Sequence, residues 1–339
     1  ARHHIHVQFY IFMDDAVGRL LRDALIDKAR QGVKIRLLYD DVGSWKVKNR
    51  FFRDMVKEGI EVYPFGEVKF AALTRRVNYR NHRKLVIVDG QLGYIGGMNI
   101  AERYYKGFSW GGWRDTHIRI EGMAVNALQT SFFVVCHYAS RMLVDEPVYF
   151  PKVERKGDTD MQIVTSYPMG EWKTIMQGLL QVISQSRRYL YIQTPYFMPT
   201  EPILMALRNA ALAGVDVRIM VPLRGDSLLA DLASHSYYKE VMTAGVKIYQ
   251  YESGYLHAKM ILSDDNFVTI GSTNMDFRSF EQNFEINAFI YDPDVVDTMK
   301  QIFLADQQSS LRVIPADWQN RPLWKRCLES LVRLLSPIL

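Results

Sequence analysis

Cysteine and long uncharged apolar stretches are both scarce in this chain of 339 residues. The two cysteines, Cys136 and Cys327, provide no disulfide framework, and we expect both to be thiols in a reducing compartment. No uncharged apolar run reaches the ~18 residues that a membrane-spanning helix needs, so no such helix is predicted. A signal peptide is missing as well. Because the chain enters an apolar strand pattern almost directly after Ala1, we expect a natural N-terminal part to be absent.

Positive charges exceed negative charges only slightly in this sequence. Lysine and arginine number 42 against 37 aspartates and glutamates, which gives a net charge of +5 and an isoelectric point near 9.0. This balance suits an anionic partner, either phospholipid or nucleic acid, although a mild basic excess is also common in soluble proteins. Hydrophobic residues make up 48% of the chain, enough for two domains or for one large fold with two lobes.

One stretch of the sequence occurs twice. The first copy spans residues 82–89 and 96–99, and the second spans residues 257–264 and 271–274. The copies align without a gap at an offset of 175 residues, and each reads His-x-Lys-x4-Asp followed by Gly-x-x-Asn. A single copy would be compatible with an ordinary buried strand that carries an incidental histidine. Two gapless copies disfavour that interpretation.

The repeated stretch carries the residue types that phosphodiester chemistry needs. Mostly apolar residues follow each lysine, which predicts a buried strand. The two-residue period of a strand places His82 and Lys84 on one face, and likewise His257 and Lys259. Two imidazoles and two ammonium groups suit double displacement at phosphorus. One histidine attacks, the other protonates the leaving oxygen, and the lysines hold the anionic phosphoryl oxygens.

This double motif resembles the signature of the phospholipase D superfamily, and the resemblance covers both halves of the chain. A fuller resemblance is to the bacterial cardiolipin synthases of the phospholipase D type. It is carried by residues 194–199, 213–217, 244–250, 276–279, 283–285 and 321–324. Members of that family usually begin with hydrophobic helices, which this sequence lacks. Gly97 stands where many members have serine, a position at which glycine is also tolerated.

The order of strand and helix patterns along the chain predicts an α/β fold. A βαβαβ succession in residues 5–63 is repeated in residues 189–251, with a glycine after each helix. We therefore expect two similar lobes, each a mixed sheet flanked by helices, related by a pseudo-two-fold with the active site between them. The predicted domains are residues 1–150 for the first lobe, 151–160 for a linker, 161–315 for the second lobe and 316–339 for a C-terminal amphipathic helix.

The resemblance implies roles for particular side chains. The predicted catalytic set is His82, Lys84, Asp89, His257, Lys259, Asp264, Asp115 and Glu285. The predicted substrate-binding set is Asn99, Asn274, Gly97, Ser272 and Arg80. The superfamily's usual order makes His82 the nucleophile and His257 the acid and base, although the sequence itself is symmetric on this point. Asp115 and Glu285 would orient the imidazoles. Asp89 and Asp264 would hold nearby backbone or an arginine. We expect no cofactor and no catalytic metal.

Two further segments have open interpretations. Residues 64–81 form an insertion before the first motif that mixes cations with aromatic rings. It contains Lys69, Arg75, Arg76 and Arg80, interleaved with Phe65, Phe70 and Tyr79. It is either a substrate-contacting loop or a solvated one. In the C-terminal segment an apolar face with a tryptophan opposes a charged face, which indicates either a helix in a membrane interface or one that packs on the lobes. The apolar face consists of Trp324, Cys327, Leu328, Leu331, Leu334 and Leu335, and the opposite face of Lys325, Arg326, Glu329 and Arg333.

The resemblance implies a reaction in which two phosphatidylglycerols give cardiolipin and glycerol through a phosphatidyl-histidine intermediate. The implied partners are phosphatidylglycerol, cardiolipin and a membrane surface, with no nucleic acid. The implied location is the bacterial inner membrane, with the chain peripheral and its natural N-terminal membrane helices absent. The nearest alternative is another phosphatidyltransferase or a phospholipase of the same superfamily. A nuclease is a more distant alternative, which the basic charge favours and the C-terminal helix opposes, and an inactive membrane-binding scaffold is opposed by the intact motifs.

Overall fold

The computed structural model describes residues 1–67, 78–143 and 146–338. The strands of the first half are β1 (His4–Phe9), β2 (Lys34–Asp40), β3 (Glu61–Phe65), β4 (Arg80–Asn81), β5 (Leu85–Val88), β6 (Leu92–Gly96), β7 (Gly112–Arg114) and β8 (His117–Glu121). Its helices are α1 (Ala16–Arg30), α2 (Asn49–Lys57), α3 (Arg103–Lys106) and α4 (Ala124–Ser140), and a 3₁₀ turn covers Pro147–Tyr149.

The second half repeats and extends this succession of elements. Its strands are β9 (Met161–Ser166), β10 (Tyr189–Gln193), β11 (Phe197–Met198), β12 (Asp216–Pro222), β13 (Lys247–Tyr251), β14 (Gly254–Leu256), β15 (Met260–Ser263), β16 (Phe267–Gly271), β17 (Met275–Asp276), β18 (Asn283–Ile290) and β19 (Ser310–Arg312). Its helices are α5 (Thr174–Gln185), α6 (Glu201–Leu212), α7 (Leu228–Thr243), α8 (Phe277–Glu281), α9 (Pro293–Gln308), α10 (Pro315–Gln319) and α11 (Leu323–Arg333).

The two halves build sheets with the same strand order. The first sheet runs β3-β2-β1-β5-β6-β8, and the second contains the matching order β13-β12-β10-β15-β16-β18. In each sheet the first three strands are parallel, while the motif strand and the two that follow are antiparallel. Helices flank both mixed sheets. The predicted fold class, two similar α/β lobes, is confirmed.

Glycines after the helices set the boundaries that the sequence indicated. Helix α1 begins after Asp15, whose carboxylate accepts a hydrogen bond from the Gly18 amide at 3.0 Å. Its end is followed by Gly32, whose φ of +87° lies in the left-handed region that a side chain rarely adopts. In the second lobe Gly214 follows α6 in the same way, with φ of +92°. Each turn leads directly into the next parallel strand.

The lobes share a hydrophobic core. Apolar side chains of the first motif region, such as Leu85 and Ile95, belong to one buried cluster with Leu262, Ile270 and Ile286 of the second lobe. Burial of this apolar surface from both sheets holds the lobes face to face.

Two short strand pairs also cross between the lobes. Strand β4 of the first lobe pairs in parallel with the start of β18 in the second, with Arg80 opposite Asn283. Strand β14 of the second lobe pairs in parallel with β7 of the first, with Gly254 opposite Gly112. Each motif histidine directly follows one of these cross-lobe strands. These two strand pairs therefore determine which side chains of the opposite lobe lie beside each imidazole.

The structure refines several boundaries. The motif strands begin at Leu85 and Met260, one residue after each lysine, so histidine and lysine precede the strand instead of lying within it. The C-terminal segment forms two helices, α10 and α11, instead of one. Pro322 lies between them, directly before the first residue of α11, and prolines are common at helix starts. Of the insertion, Lys69, Phe70, Arg75 and Arg76 lie outside the described residues. In the described ranges, none of the helices combines the length and apolar character required to cross a bilayer.

Candidate active site

The cross-lobe strands place each motif histidine beside a carboxylate of the opposite lobe. The amide of His82 donates to the carbonyl of Phe284 at 3.1 Å, and the His82 Nδ1 lies 2.9 Å from Glu285 Oε1. The amide of His257 donates to the carbonyl of Arg114 at 2.7 Å, and the His257 Nδ1 lies 2.7 Å from Asp115 Oδ2. A carboxylate at Nδ1 holds the proton there, which leaves the Nε2 lone pair of each ring free to act. Both rings line the same cleft.

Further donors fix the two carboxylates. Glu285 also accepts from the Ser272 hydroxyl and from Asn283 Nδ2. Asp115 accepts from Trp113 Nε1 at 3.2 Å and from the Thr116 amide at 2.8 Å. Burial raises the pKa of both carboxyls, but the imidazoles and these hydrogen bonds outweigh burial and hold the pKa of each below its usual value. Both groups are therefore anionic at neutral pH.

The motif lysines lie behind the histidines. Lys84 Nζ donates to the carbonyl of His82 at 2.6 Å, and Lys259 Nζ donates to the carbonyl of His257 at 2.5 Å. Both side chains are buried. Burial lowers the pKa of Lys259 to about 8 and that of Lys84 well below its usual value. Both amino groups lie behind the histidines without lining the cleft.

Burial makes both imidazoles weak bases. It is the largest influence on each ring and lowers the pKa of His82 to about 4 and that of His257 to about 3, with the nearby lysines acting in the same direction. The partner carboxylates act in the opposite direction and are outweighed. Both rings are therefore neutral at pH 7 while no anion lies between them.

These neutral rings predict that the protein loses stability in mild acid. An exposed histidine of the unfolded chain takes up a proton below pH ~6.5, whereas the folded rings stay neutral until pH falls to about 4 or below. The stability is therefore complete above pH 6.5 and lost as pH falls. We expect the free energy of unfolding, measured with urea, to drop by roughly 2 kcal/mol per buried ring between pH 7 and pH 5. The drop should shrink by that amount in His257→Gln, and an equal drop in both proteins would contradict this cause.

The motif aspartates hold backbone at the far end of the motif strand from the histidines. Asp89 accepts from the amides of Arg2, His3 and His4, all within 2.9 Å, where β1 begins. Asp264 does the same for residues 187–189, where β10 begins. The φ angles of the two aspartates, +55° and +54°, lie in the left-handed region. Both are positioning residues that fix neighbouring strands, and their oxygens do not face the reacting groups.

The predicted substrate-binding residues divide into two groups. Asn99, Asn274 and Arg80 line the cleft. Gly97 and Ser272 do not, because each lies behind a carboxylate that contacts a motif histidine. A Cβ at Gly97 would come 2.0 Å from Asp115 Oδ1, and Ser272 is fully buried against Glu285. Their contacts indicate that they fix the positions of the two carboxylates and do not contact the substrate.

The contact of Gly97 with Asp115 leads to a prediction. In Gly97→Ala the new methyl group must displace the Asp115 carboxylate from His257. We expect kcat to fall by ~10- to 100-fold, because sub-ångström misplacement of a catalytic group is costly. Gly157→Ala is the matched control, since a Cβ there meets no atom within 4 Å. Equal kcat values for the two variants, measured as product formation, would contradict the positioning role of Gly97.

Arg80 is held rigidly, and one nitrogen of its guanidinium makes no hydrogen bond within the described residues. Its Nη2 donates to the carbonyl of Gly66 at 2.9 Å, and its Nε lies 3.5 Å from Asp40 Oδ2. Its Nη1 is buried and has no hydrogen-bond partner within the described residues. A fixed donor at the edge of the cleft suits an anionic substrate.

The cleft has a volume of about 340 Å³. Besides the two histidines it is lined by Tyr10, Ile11, Arg80, Asn99, Arg103, Tyr104, Trp113, Tyr196, Met198, Asp226, Ser227, Ala230, Asn274, Asp276, Arg278 and Asn283. Arg103 and Arg278 were not predicted as site residues from the sequence. They stand at the same offset of 175 residues as the motifs, so extending the gapless alignment by four residues beyond Asn99 would have found them. No group of three or more potential ligand side chains is arranged to hold a metal in the described ranges, and a metal-free reaction stays a prediction.

Comparison with known proteins identifies the family. The family model described as "Cardiolipin synthase, PLD-like domain" matches residues 1–109 and 179–307. The whole chain is 45% identical to 71% of the major cardiolipin synthase of Bacillus subtilis. The chain belongs to the cardiolipin synthase family of phospholipase D-like proteins. A second family member, from Geobacillus kaustophilus, is 42% identical over the whole chain and 68% of its own length.

A solved structure also has the same fold. The crystal structure of the phosphatidylserine synthase of Haemophilus influenzae superposes with a TM-score of 0.75 at 14% identity. The match covers 100% of this chain and 91% of that one. At this identity the likeness concerns the fold alone. The predicted family is thus confirmed by the sequence relatives, and the two-lobed fold by the structure.

Proposed function

We propose that this chain transfers a phosphatidyl group from one phosphatidylglycerol to another and so forms cardiolipin and glycerol. Membership of the cardiolipin synthase family supports the reaction. The observation that carries the chemistry is the pair of imidazoles on one cleft, each with a buried carboxylate at Nδ1. This arrangement supplies one nucleophile and one proton carrier for a two-step displacement.

In the first step His82 Nε2 attacks the phosphorus of the donor lipid. The bond from phosphorus to the glycerol oxygen breaks, and that oxygen takes a proton from His257 Nε2. The product is free glycerol and a phosphatidyl group bonded to His82. Glu285 stabilises the positive charge that develops on the His82 ring, because its carboxylate lies at Nδ1. A phosphodiester anion in the cleft favours the protonated form of the buried Lys84 and Lys259, and their ammonium groups then offset negative charge on the phosphoryl oxygens.

In the second step a hydroxyl group of the acceptor phosphatidylglycerol attacks the same phosphorus. It gives its proton to His257, and the bond to His82 breaks. His257 must carry a proton in the first step, although burial lowers its pKa to about 3. A phosphodiester anion between the rings favours the charged imidazole, so substrate binding itself would supply the proton-carrying form.

The cleft suits two anionic lipids better than a neutral substrate. Arg80, Arg103 and Arg278 all line it, and the last two occupy matching positions in the two lobes. The chain's net charge of +5 acts in the same direction. We propose that the protein takes these lipids from a bacterial membrane surface and has no nucleic acid substrate.

A product assay tests this proposal. Vesicles containing labelled phosphatidylglycerol, and separately labelled single-stranded DNA, are incubated with the protein and the products are resolved. We expect cardiolipin and glycerol in equal amounts from the vesicles and no cleavage of DNA. Phosphatidic acid as the main product would instead indicate a phospholipase, and nucleotides would indicate a nuclease. The double variant His82→Ala/His257→Ala is the control for contaminating activity.

A further inference from the structure

Helix α11 packs on the second lobe with its charged side inward. Val332 and Glu329 are buried against α7, and Glu329 pairs with Arg321 through two hydrogen bonds of 2.7 and 2.8 Å. Arg333 lies 4.1 Å above the ring of Tyr237 and donates to Glu240 at 3.1 Å. The polar side is therefore satisfied within the protein, so this orientation has specific contacts.

The apolar side of the same helix faces outward. We name this side the outer face of α11, and it also includes the turns that follow the helix. Its residues are Trp324, Leu328 and Leu331 of the helix and Leu334, Leu335 and Ile338 of the turns. Trp324 and Leu331 are each 64% exposed, and Leu334 is 77% exposed. A contiguous apolar stripe of this kind is unusual on a soluble surface and marks a place where something else binds.

We propose that the outer face of α11 is a docking surface for an anionic lipid bilayer. A tryptophan and several leucines on one side of a short helix, with cations at its margin, are the features of helices that lie in a membrane interface. Lys325 is exposed next to Trp324, with its Nζ 5.5 Å from the ring centre. The net charge of +5 attracts an anionic surface and opposes close approach of a second copy of the chain.

The outer face is connected to the elements that form the cleft. The carbonyl of Pro337 accepts a hydrogen bond of 3.0 Å from Gln282, whose neighbour Asn283 lines the cleft. Helix α7, on which α11 packs, begins directly after Ser227, which also lines the cleft. The first two residues of α7, Leu228 and Leu229, are exposed as well. A bilayer held by α11 would therefore be anchored to the same elements that bind the headgroup. This inference rests on the proposed function for its choice of lipid.

The test compares two double variants with equally exposed targets. Leu331→Gln/Leu334→Gln removes apolar surface from the outer face of α11. Leu20→Gln/Met123→Gln is the matched control in the first lobe, where the side chains are 73% and 74% exposed. Binding is measured by flotation with vesicles of phosphatidic acid and phosphatidylcholine. Turnover is measured with phosphatidylglycerol vesicles and with dispersed short-chain phosphatidylglycerol.

We expect the α11 variant to bind vesicles ~10-fold or more weakly and to turn over vesicle substrate correspondingly slowly. Turnover of dispersed substrate should be the same as in the wild type, because the cleft is unchanged. Quenching of tryptophan emission by brominated lipid should decrease in Trp324→Phe, since only an inserted indole meets the acyl chains. The control variant should match the wild type in every measurement.

Unchanged vesicle binding by the α11 variant would overturn the proposal. A wild type that sediments as a dimer, with the α11 variant monomeric and still bound to vesicles, would also overturn it and assign the face to a second copy. Failure of the proposed function has a different signature. No cardiolipin would form from either substrate, while binding to phosphatidic acid vesicles would still depend on the outer face of α11.

Discussion

Replacing His82 with alanine is expected to abolish formation of the covalent intermediate, whereas replacing His257 is expected only to remove the proton carrier. The two roles separate with a donor lipid whose leaving group is p-nitrophenol in place of glycerol. Nitrophenolate leaves without a proton, so the first step no longer needs an acid. We expect His82→Ala to release nitrophenol ~10⁴-fold more slowly than the wild type. His257→Ala should keep the rapid release within ~10-fold and then stall at the second step.

The same variants have a matched prediction with phosphatidylglycerol. Both should be inactive within the limits of a product assay, because glycerol is a poor leaving group without a proton. With the nitrophenyl donor in place of phosphatidylglycerol, labelled lipid should remain attached to His257→Ala after rapid mixing and should be absent from His82→Ala. Thermal unfolding of both variants checks that the fold is intact. Label on His82→Ala with none on His257→Ala would exchange the assigned roles, and label on neither would contradict a covalent route.

The second large effect is expected from the carboxylates Glu285 and Asp115, each of which contacts the histidine of the opposite lobe. Glu285→Gln is expected to slow nitrophenol release ~10²- to 10⁴-fold, because the amide cannot stabilise a charged His82 ring and favours the wrong tautomer. Asp115→Asn is expected to leave that release nearly unchanged and to slow turnover of phosphatidylglycerol by a similar factor, since its partner is His257.

This pair of variants distinguishes a crossed arrangement from one within each lobe. If each carboxylate served the histidine of its own lobe, Asp115→Asn would slow nitrophenol release and Glu285→Gln would not. Both substitutions preserve the size of the side chain, so packing around the buried groups is maintained. Ser272→Ala is a graded control, because it removes one hydrogen bond to Glu285 and leaves the carboxylate in place. Its nitrophenol release should fall by less than that of Glu285→Gln.

Local signals predicted most elements of the fold. Glycines 32, 59, 214 and 245 mark helix ends because their φ angles are positive, and apolar runs mark the sheet strands. The start of the motif strands was predicted three residues early, since period two along the chain does not show where hydrogen-bonded pairing begins. The orientation of α11 was not predictable. Its amphipathic pattern favours burial of the leucines, but Arg333 pairs with Glu240 of the lobe, and Glu329 is buried in an ion pair with Arg321 of the same segment. These contacts bring the charged side inward.

The sequence predicted which residue types make up the site, but it predicted less well which of these residues contact each other. The repeated motif named His82, His257 and their lysines, and the family resemblance added Asp115 and Glu285. Gly97 and Ser272 were assigned to the substrate from the family resemblance, yet the structure places them behind the carboxylates. Sequence spacing could not show this, since it depends on which way a loop turns after the strand ends.

The sequence by itself determined the chemistry and the duplication, because residue types and their spacing are properties of the chain. His-x-Lys-x4-Asp at two places is sufficient to specify two imidazoles and two ammonium groups. Which carboxylate serves which imidazole was decided only by the tertiary structure. Residues 82 and 285 are 203 positions apart, and they meet because β4 pairs with β18 across the lobes. That pairing depends on burial of the shared core and on backbone hydrogen bonds between distant segments, which no local pattern encodes.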